Sequence, residues 1–222
     1  MKNINKYVEH TLLKPNATNE ELEKLFTEAI ENDFLGVCIN PVNIKKAKAF
    51  LQNKNIKIVT VVGFPLGASL SEIKAKETEL AVKDGADEID MVLNISALKN
   101  DEDEFVLNDI KAVVTAAQGK PVKVIIETDL LTKEEIQKAT HLVGKSGAKF
   151  VKTSTGFVKT GVGAKVEDVK IMHEIAQEYN IAVKASGGIK TFDDAIKLIE
   201  AGATRLGTSS GVQIIKGANG EA

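Results

Sequence analysis

Arginine is nearly missing from this sequence. Among 29 basic residues the single arginine is Arg205, and 31 acidic residues leave a net charge of −2. Nucleic acids and phosphate-rich surfaces recruit the planar guanidinium fork, so this composition argues against a nucleic-acid partner. Cysteine is as scarce: Cys38 stands alone, which excludes an intrachain disulfide and any CxxC metal or redox site. The opening stretch MKNINKYVEHTLLKP lacks the apolar core of a secretory signal. Apolar runs elsewhere fall far short of the roughly 20 residues that span a bilayer. The expectation is a cytoplasmic protein with no membrane partner. Histidine is limited to His10, His141 and His173. The last two fall inside expected outer helices and only His10 lies near a strand end. Zinc needs three or four converging ligands, so no catalytic metal is expected.

What is present is a regular alternation. The 222 residues are 43% hydrophobic, enough for one well-buried core. Short β-branched runs at 8–13, 36–39, 56–62, 88–92, 122–127, 150–152, 182–184 and 205–207 read as strands. Between them lie amphipathic stretches with helix-start signals. Thr18 followed by Glu21 reads as a capping box, and Ser69, Thr132 and Thr191 precede charged-then-apolar periodic segments. Gly85, Gly119, Gly147 and Gly202 read as helix ends. Three of these sit in near-equivalent phrases, DGADEID, SGAKFVK and AGATRLG, each a helix end, a Gly-Ala turn and a strand. Eight such units predict one (β/α)8 barrel domain over residues 1–222. A doubly wound open sheet would carry a glycine-rich turn after its first strand; here KPNATNEE follows.

In a barrel the chemistry sits where strands end. That rim collects Asp90 and Asn94 from strand four, Glu127 and Asp129 from strand five, Lys152 from strand six and Lys184 from strand seven. Two readings of the lysines stand side by side. In one, each pairs with a rim carboxylate, Lys184 with Glu127 or Asp90. In the other, two ammonium groups in a partly desolvated mouth disfavour each other, and one becomes a neutral amine able to form a Schiff base. Glycine-rich turns then follow strands six, seven and eight: Gly156 in STGF, Gly187 and Gly188 in ASGGIK, and Ser209 and Ser210 in GTSSG. Any one is an ordinary turn. Together, with a helix starting after each of the last two strands, they predict a phosphate cradle of backbone amides and hydroxyls.

The motifs HTLLKP, DEIDMVLN, FVKTSTGF, VKASGGI and RLGTSSG, occurring in that order, resemble those of the deoxyribose-phosphate aldolases of the short bacterial and archaeal type. The resemblance covers nearly the whole chain. It implies a (β/α)8 barrel that reversibly cleaves 2-deoxy-D-ribose 5-phosphate to acetaldehyde and D-glyceraldehyde 3-phosphate in deoxyribonucleotide catabolism, with no metal or cofactor. It also implies that Lys152 is the Schiff-base lysine, that Lys184 lowers its pKa, and that Asp90 works with Lys184 and an ordered water in proton transfer. Gly156, Gly187, Gly188, Ser209 and Ser210 would hold the phosphate. The chain departs from the family pattern at Glu9, where the first motif usually has aspartate, and Glu9 is read as a structural carboxylate at the rim or the core edge. The tail IIKGANGEA has no tyrosine, whereas some members carry a mobile one that assists proton transfer. Cys38 matches a cysteine that is alkylated in some members, and reads equally as an inert buried thiol. Arg205 is expected in a structural ion pair, Lys14 at the surface, and residues 100–104 (NDEDE) in a solvated helix start. Apolar positions on the outer helices are compatible with a homodimer.

Overall fold

The computed structural model describes residues 3–221. The chain alternates β1 Val8–Leu12, α1 Asn19–Glu31, β2 Gly36–Ile39, α2 Ile44–Phe50, β3 Lys57–Val62, α3 Ser71–Asp84, β4 Glu88–Val92, α4 Ile95–Lys99, α5 Asp103–Ala116, β5 Val122–Ile125, α6 Lys133–Lys145, β6 Phe150–Lys152, α7 Val166–Glu178, β7 Ala182–Ser186, α8 Phe192–Glu200, β8 Ala203–Thr208 and α9 Gly211–Ala218. The eight strands pair in sequence order, all parallel, and β8 closes on β1 to complete the barrel. Helices surround it, and the apolar faces of strands and helices meet in one continuous core. Among the described residues no helix is long and apolar enough to cross a membrane.

Helix starts follow local chemistry. Thr18, Thr132 and Thr191 each cap a helix by accepting from the backbone N–H three residues on, and Glu21, Glu135 and Asp194 reach back to close a capping box. Ser69 does not cap: α3 starts at Ser71 and Leu70 stands at the cap position without a side-chain bond. Strand limits differ most at β5, β7 and β8, and β7 runs on to Ser186. β5 stops at Ile125, and Glu127 beyond it adopts a left-handed backbone (φ 59°) that no strand can continue. β8 starts at Ala203, two residues early, because main-chain pairing with Val183 begins there.

The barrel interior is divided. Inward side chains of the β1–β3 side form a small apolar cluster of Leu13, Cys38, Val59 and Val61. The β4–β8 side is ionic instead, with Asp90, Lys123, Lys152 and Lys184 buried alongside Glu9 from β1. Burying such charges costs several kcal/mol each unless they pair well. Their pairing therefore defines the centre of the molecule.

Candidate active site

Lys152 and Lys184 are register partners on β6 and β7, so both side chains enter the barrel at one level. Asp90 enters from β4, mid-strand, beside Lys123 of β5, its register partner. One carboxylate serves all three lysines. Asp90 Oδ2 accepts from Lys152 Nζ at 2.7 Å and from Lys184 Nζ at 2.6 Å, while Oδ1 accepts from Lys123 Nζ at 2.9 Å. Glu9 accepts from Lys184 through Oε2. Its Oε1 lies 3.4 Å from Lys123 and 3.5 Å from Arg205 Nε. Below this layer Glu88 pairs with Lys123 at 2.7 Å and Lys57 at 2.8 Å, and Arg205 reaches it at 3.6 Å while lying over the Phe150 ring. The ion network thus runs from the site toward the opposite end of the barrel.

Protonation within this cluster is asymmetric. Burial pushes the Lys152 amine down; Asp90 opposes this and the Lys184 ammonium reinforces it, and the net direction is down. Lys184 is also disfavoured by burial, but Asp90 and Glu9 hold it far above the ordinary lysine value. Lys123 is likewise raised, Asp90 and Glu9 outweighing its burial. Burial works to raise Asp90, yet Lys123, Lys152 and Lys184 hold it well below the ordinary carboxylate range. Two firm ammonium groups and an ionised carboxylate therefore surround one weakened amine. Both lysines pair with Asp90, and of the two only Lys152 is pushed down. Burial, ahead of the neighbouring ammonium, is the larger cause.

Only Lys152 of these ions opens to the mouth. It lies at the floor of a cavity of about 400 Å³ whose walls include Gly156, Gly187, Gly188, Ser209 and Ser210, with Lys14, Phe157 and Lys190 at the lip. All five residues expected to hold phosphate line this one cavity. Gly188 has φ +75°, and a Cβ there would stand 2.3 Å from the Val162 carbonyl oxygen, so only glycine lets the two loops meet. Glu127 is buried beside the turn and accepts from the Thr155 N–H at 3.1 Å and from its hydroxyl. Burial raises its carboxyl, partly offset by those two bonds. Asp129 accepts from Gly163 N–H at 2.8 Å and pairs with Lys165, tying down the loop that follows β6. A larger groove, about 940 Å³, lies at the loops preceding β3, β4 and β5, away from this mouth, and contains none of these groups.

Some residues expected at the rim lie elsewhere. Asn94 caps α4 through its side chain, accepting from Ala97 N–H at 3.0 Å. His10 faces α1, 2.8 Å from Glu28 and tilted against Phe34. Glu127 pairs with Thr155 instead of Lys184. Glu9 lies deeper than a rim residue, fully inside the barrel. Cys38 sits in the apolar half of the interior and burial pushes its thiol up, the inert state. His141 and His173 lie in α6 and α7, bonded to Tyr179 and Gln177. Lys14 bonds Glu21 at the surface, and Asp101 and Asp103 pair with Lys138 near the start of α5. Among the described residues no three His, Cys, Asp or Glu side chains group as metal ligands. Lys123 and Glu88 are the residues missed from sequence. The available signal was their place in otherwise apolar strands, in phase with Ile125 and Asp90.

Comparison with known proteins agrees with this geometry. Residues 4–217 match the DeoC/LacD family aldolases. A deoxyribose-phosphate aldolase from Thermococcus kodakarensis is 53% identical over 222 residues, 98% of each chain. Deoxyribose-phosphate aldolase 1 of Mesoplasma florum is 55% identical over 214 residues, 96% of each. Among solved structures, the tetrameric deoxyribose phosphate aldolase from Aeropyrum pernix superposes with a TM-score of 0.90 at 32% identity, covering 97% of this chain and 91% of that one. This chain, with its lysine pair sharing one carboxylate at the mouth of a parallel barrel, belongs to the DeoC/LacD aldolase family.

Proposed function

We propose that this protein is a class I deoxyribose-phosphate aldolase, residues 1–222 acting as one catalytic domain, in the cytoplasm, on 2-deoxy-D-ribose 5-phosphate. The observation that carries the proposal is the shared oxygen, Asp90 Oδ2, between a depressed Lys152 at the cavity floor and a protonated Lys184 behind it.

The Lys152 amine attacks the C1 aldehyde, and the carbinolamine loses water to give an iminium. The iminium is the electron sink. The C3 hydroxyl gives up its proton, the C2–C3 bond breaks, and D-glyceraldehyde 3-phosphate leaves an enamine on Lys152. Protonation at C2 regenerates an iminium, which takes up water and releases acetaldehyde. The water lost equals the water gained, and the proton from C3 balances the one delivered to C2. In this reading Lys184 donates and Asp90 accepts those protons. The Gly156, Gly187–Gly188 and Ser209–Ser210 turns would hold the phosphate at the far end of the cavity, backbone N–H groups and the α9 start facing the anion.

Borohydride reduction with acetaldehyde, followed by peptide mass mapping, tests the assignment. The expected product is an ethyl adduct on Lys152 that is lost in Lys152→Leu. An adduct on Lys184 would reverse the two roles, and no adduct on folded protein would sink the Schiff-base reading. Turnover of fructose 6-phosphate with erythrose 4-phosphate, without turnover of acetaldehyde, would move the assignment to a transaldolase.

A further inference from the structure

His10 interrupts an apolar face. Along β1, Glu9 and Thr11 turn into the barrel, while Val8, His10 and Leu12 alternate with them and meet the helix layer. The imidazole is 3% exposed. Its Nε2 lies 2.8 Å from Glu28 Oε2 of α1, and a carboxylate only accepts, so Nε2 carries the proton and donates. Nδ1 is buried without a partner. A bare polar atom in the core is a cost that an aliphatic side chain at this position would avoid.

The ring lies directly behind the phosphate end of the cavity. His10 is the register partner of Thr208 on β8, and Ser209, Ser210 and the start of α9 follow at once. Gly211, the first residue of α9, rests on two rings: a Cβ there would stand 3.1 Å from His10 Nδ1 and 2.9 Å from Phe34. Those rings touch each other, tilted, with centroids 5.2 Å apart. Ser210 N–H is already given to Thr208 Oγ1 at 2.9 Å. The first helical bond of α9 runs from Ile214 N–H to the Ser210 carbonyl, so the N–H groups of residues 211–213 have no partner within the helix. These are the groups that would face an anion. Since α9 is only eight residues long, its direction depends on what it lies against. We propose that His10 is a positioning residue of the phosphate cradle. Anchored by Glu28, its ring fixes the first turn of α9 so that the free N–H groups meet the substrate phosphate. The proposal rests on the sugar-phosphate reading of the cavity and extends the cradle outward, through His10, to Glu28 on α1.

Titration calorimetry with inorganic phosphate reads the cradle directly, with circular dichroism as the check on folding. His10→Phe keeps a ring against Phe34 and loses the bond to Glu28. It is expected to weaken phosphate binding about 10-fold, the worth of one hydrogen bond. The preference for 2-deoxy-D-ribose 5-phosphate over unphosphorylated 2-deoxy-D-ribose, as a ratio of kcat/KM values, should fall by a similar factor. Glu28→Ala, at a partly exposed position, removes the anchor without touching the ring and should act in the same direction. Glu28→Gln still offers an oxygen to Nε2–H and should bind phosphate like the wild type. Phosphate affinity unchanged in both His10→Phe and Glu28→Ala would overturn the proposal. So would an equal loss with both sugars, which a merely structural role produces, or a wild-type chain that takes up no phosphate. Acetaldehyde trapping by the wild type reads the Schiff-base chemistry separately, so the phosphate titration decides the role of His10 whichever way that falls.

Discussion

Replacing Lys184 with methionine isolates the electrostatics of the site. Lys152 and Lys184 reach the same Asp90 oxygen at 2.7 and 2.6 Å, which keeps their nitrogens within about 5 Å of each other. At that distance and an effective dielectric of about 20, two ammonium groups repel by about 3 kcal/mol. Lys184→Met removes the repulsion and frees Asp90 and Glu9 from a competing cation. Both changes favour the ammonium form of Lys152, so the neutral fraction at pH 7 should fall by about 10²-fold or more. The measurement is the rate of acetaldehyde trapping by borohydride as a function of pH, with kcat/KM for cleavage alongside. In the variant the acid limb of trapping should move to higher pH, with much of the trapping rate recovered in alkaline buffer. A limb that stays in place, or a loss that alkali does not restore, would refute the electrostatic account and leave Lys184 as a proton carrier only.

Glu88 tests the far end of the network. Its carboxyl is buried, which works to raise it, but pairing with Lys123 and Lys57 holds it at about 2 against an ordinary 4.5. The stabilisation this represents, about 3 kcal/mol, is complete above pH 4.5 and is lost as pH falls toward 2. Glu88→Gln should flatten that part of the stability curve in urea titrations; an unchanged slope would count against the pairing. Asp90→Asn leaves three buried lysines without their common anion. It should reduce kcat by 10²- to 10⁴-fold and destabilise the fold by about 3–5 kcal/mol in the same titrations. Glu127→Gln loosens Thr155 next to the Gly156 turn. KM for the phosphorylated sugar should rise by about 10-fold on the loss of a charged hydrogen bond, while acetaldehyde trapping at Lys152 stays near normal. Equal losses in both assays would place Glu127 in the chemistry instead.

The repeat of strand and helix was legible because it is local: β-branched runs, threonine caps and Gly-Ala turns each report on a few neighbouring residues. The lysine pair was legible for a related reason. Lys152 and Lys184 end apolar strands that adjoin in a barrel, so their meeting follows from topology. The partnership of Asp90 with Lys123 is different. It depends on the register between β4 and β5, which no local feature states, and a shift by one residue would turn Lys123 outward. Glu9 was placed too near the surface for the same reason. Its depth is set by pairing with Gly36 on one side and Gly207 on the other. The left-handed backbone at Glu127 was hidden by an apolar run, VIIE, that reads as uninterrupted strand.

The interlock of the two glycine turns bears on how this site can diverge. A Cβ at Gly163 would meet the Gly187 carbonyl carbon at 2.3 Å, and Ala164 N–H donates to the Gly187 carbonyl at 3.1 Å. Main chain lies directly on main chain, with no side chain between them to exchange. Variation cannot be written into that wall one residue at a time, since each substitution forces two loops apart at once. The adjoining turn after β8 is different: Ser209 is exposed and the Ser210 hydroxyl makes no capping bond, so neither is locked against a neighbouring main chain. Descendants of this scaffold with altered ligands should therefore carry their differences after β8, and a library confined to that segment would explore more working enzymes than one spread evenly around the mouth.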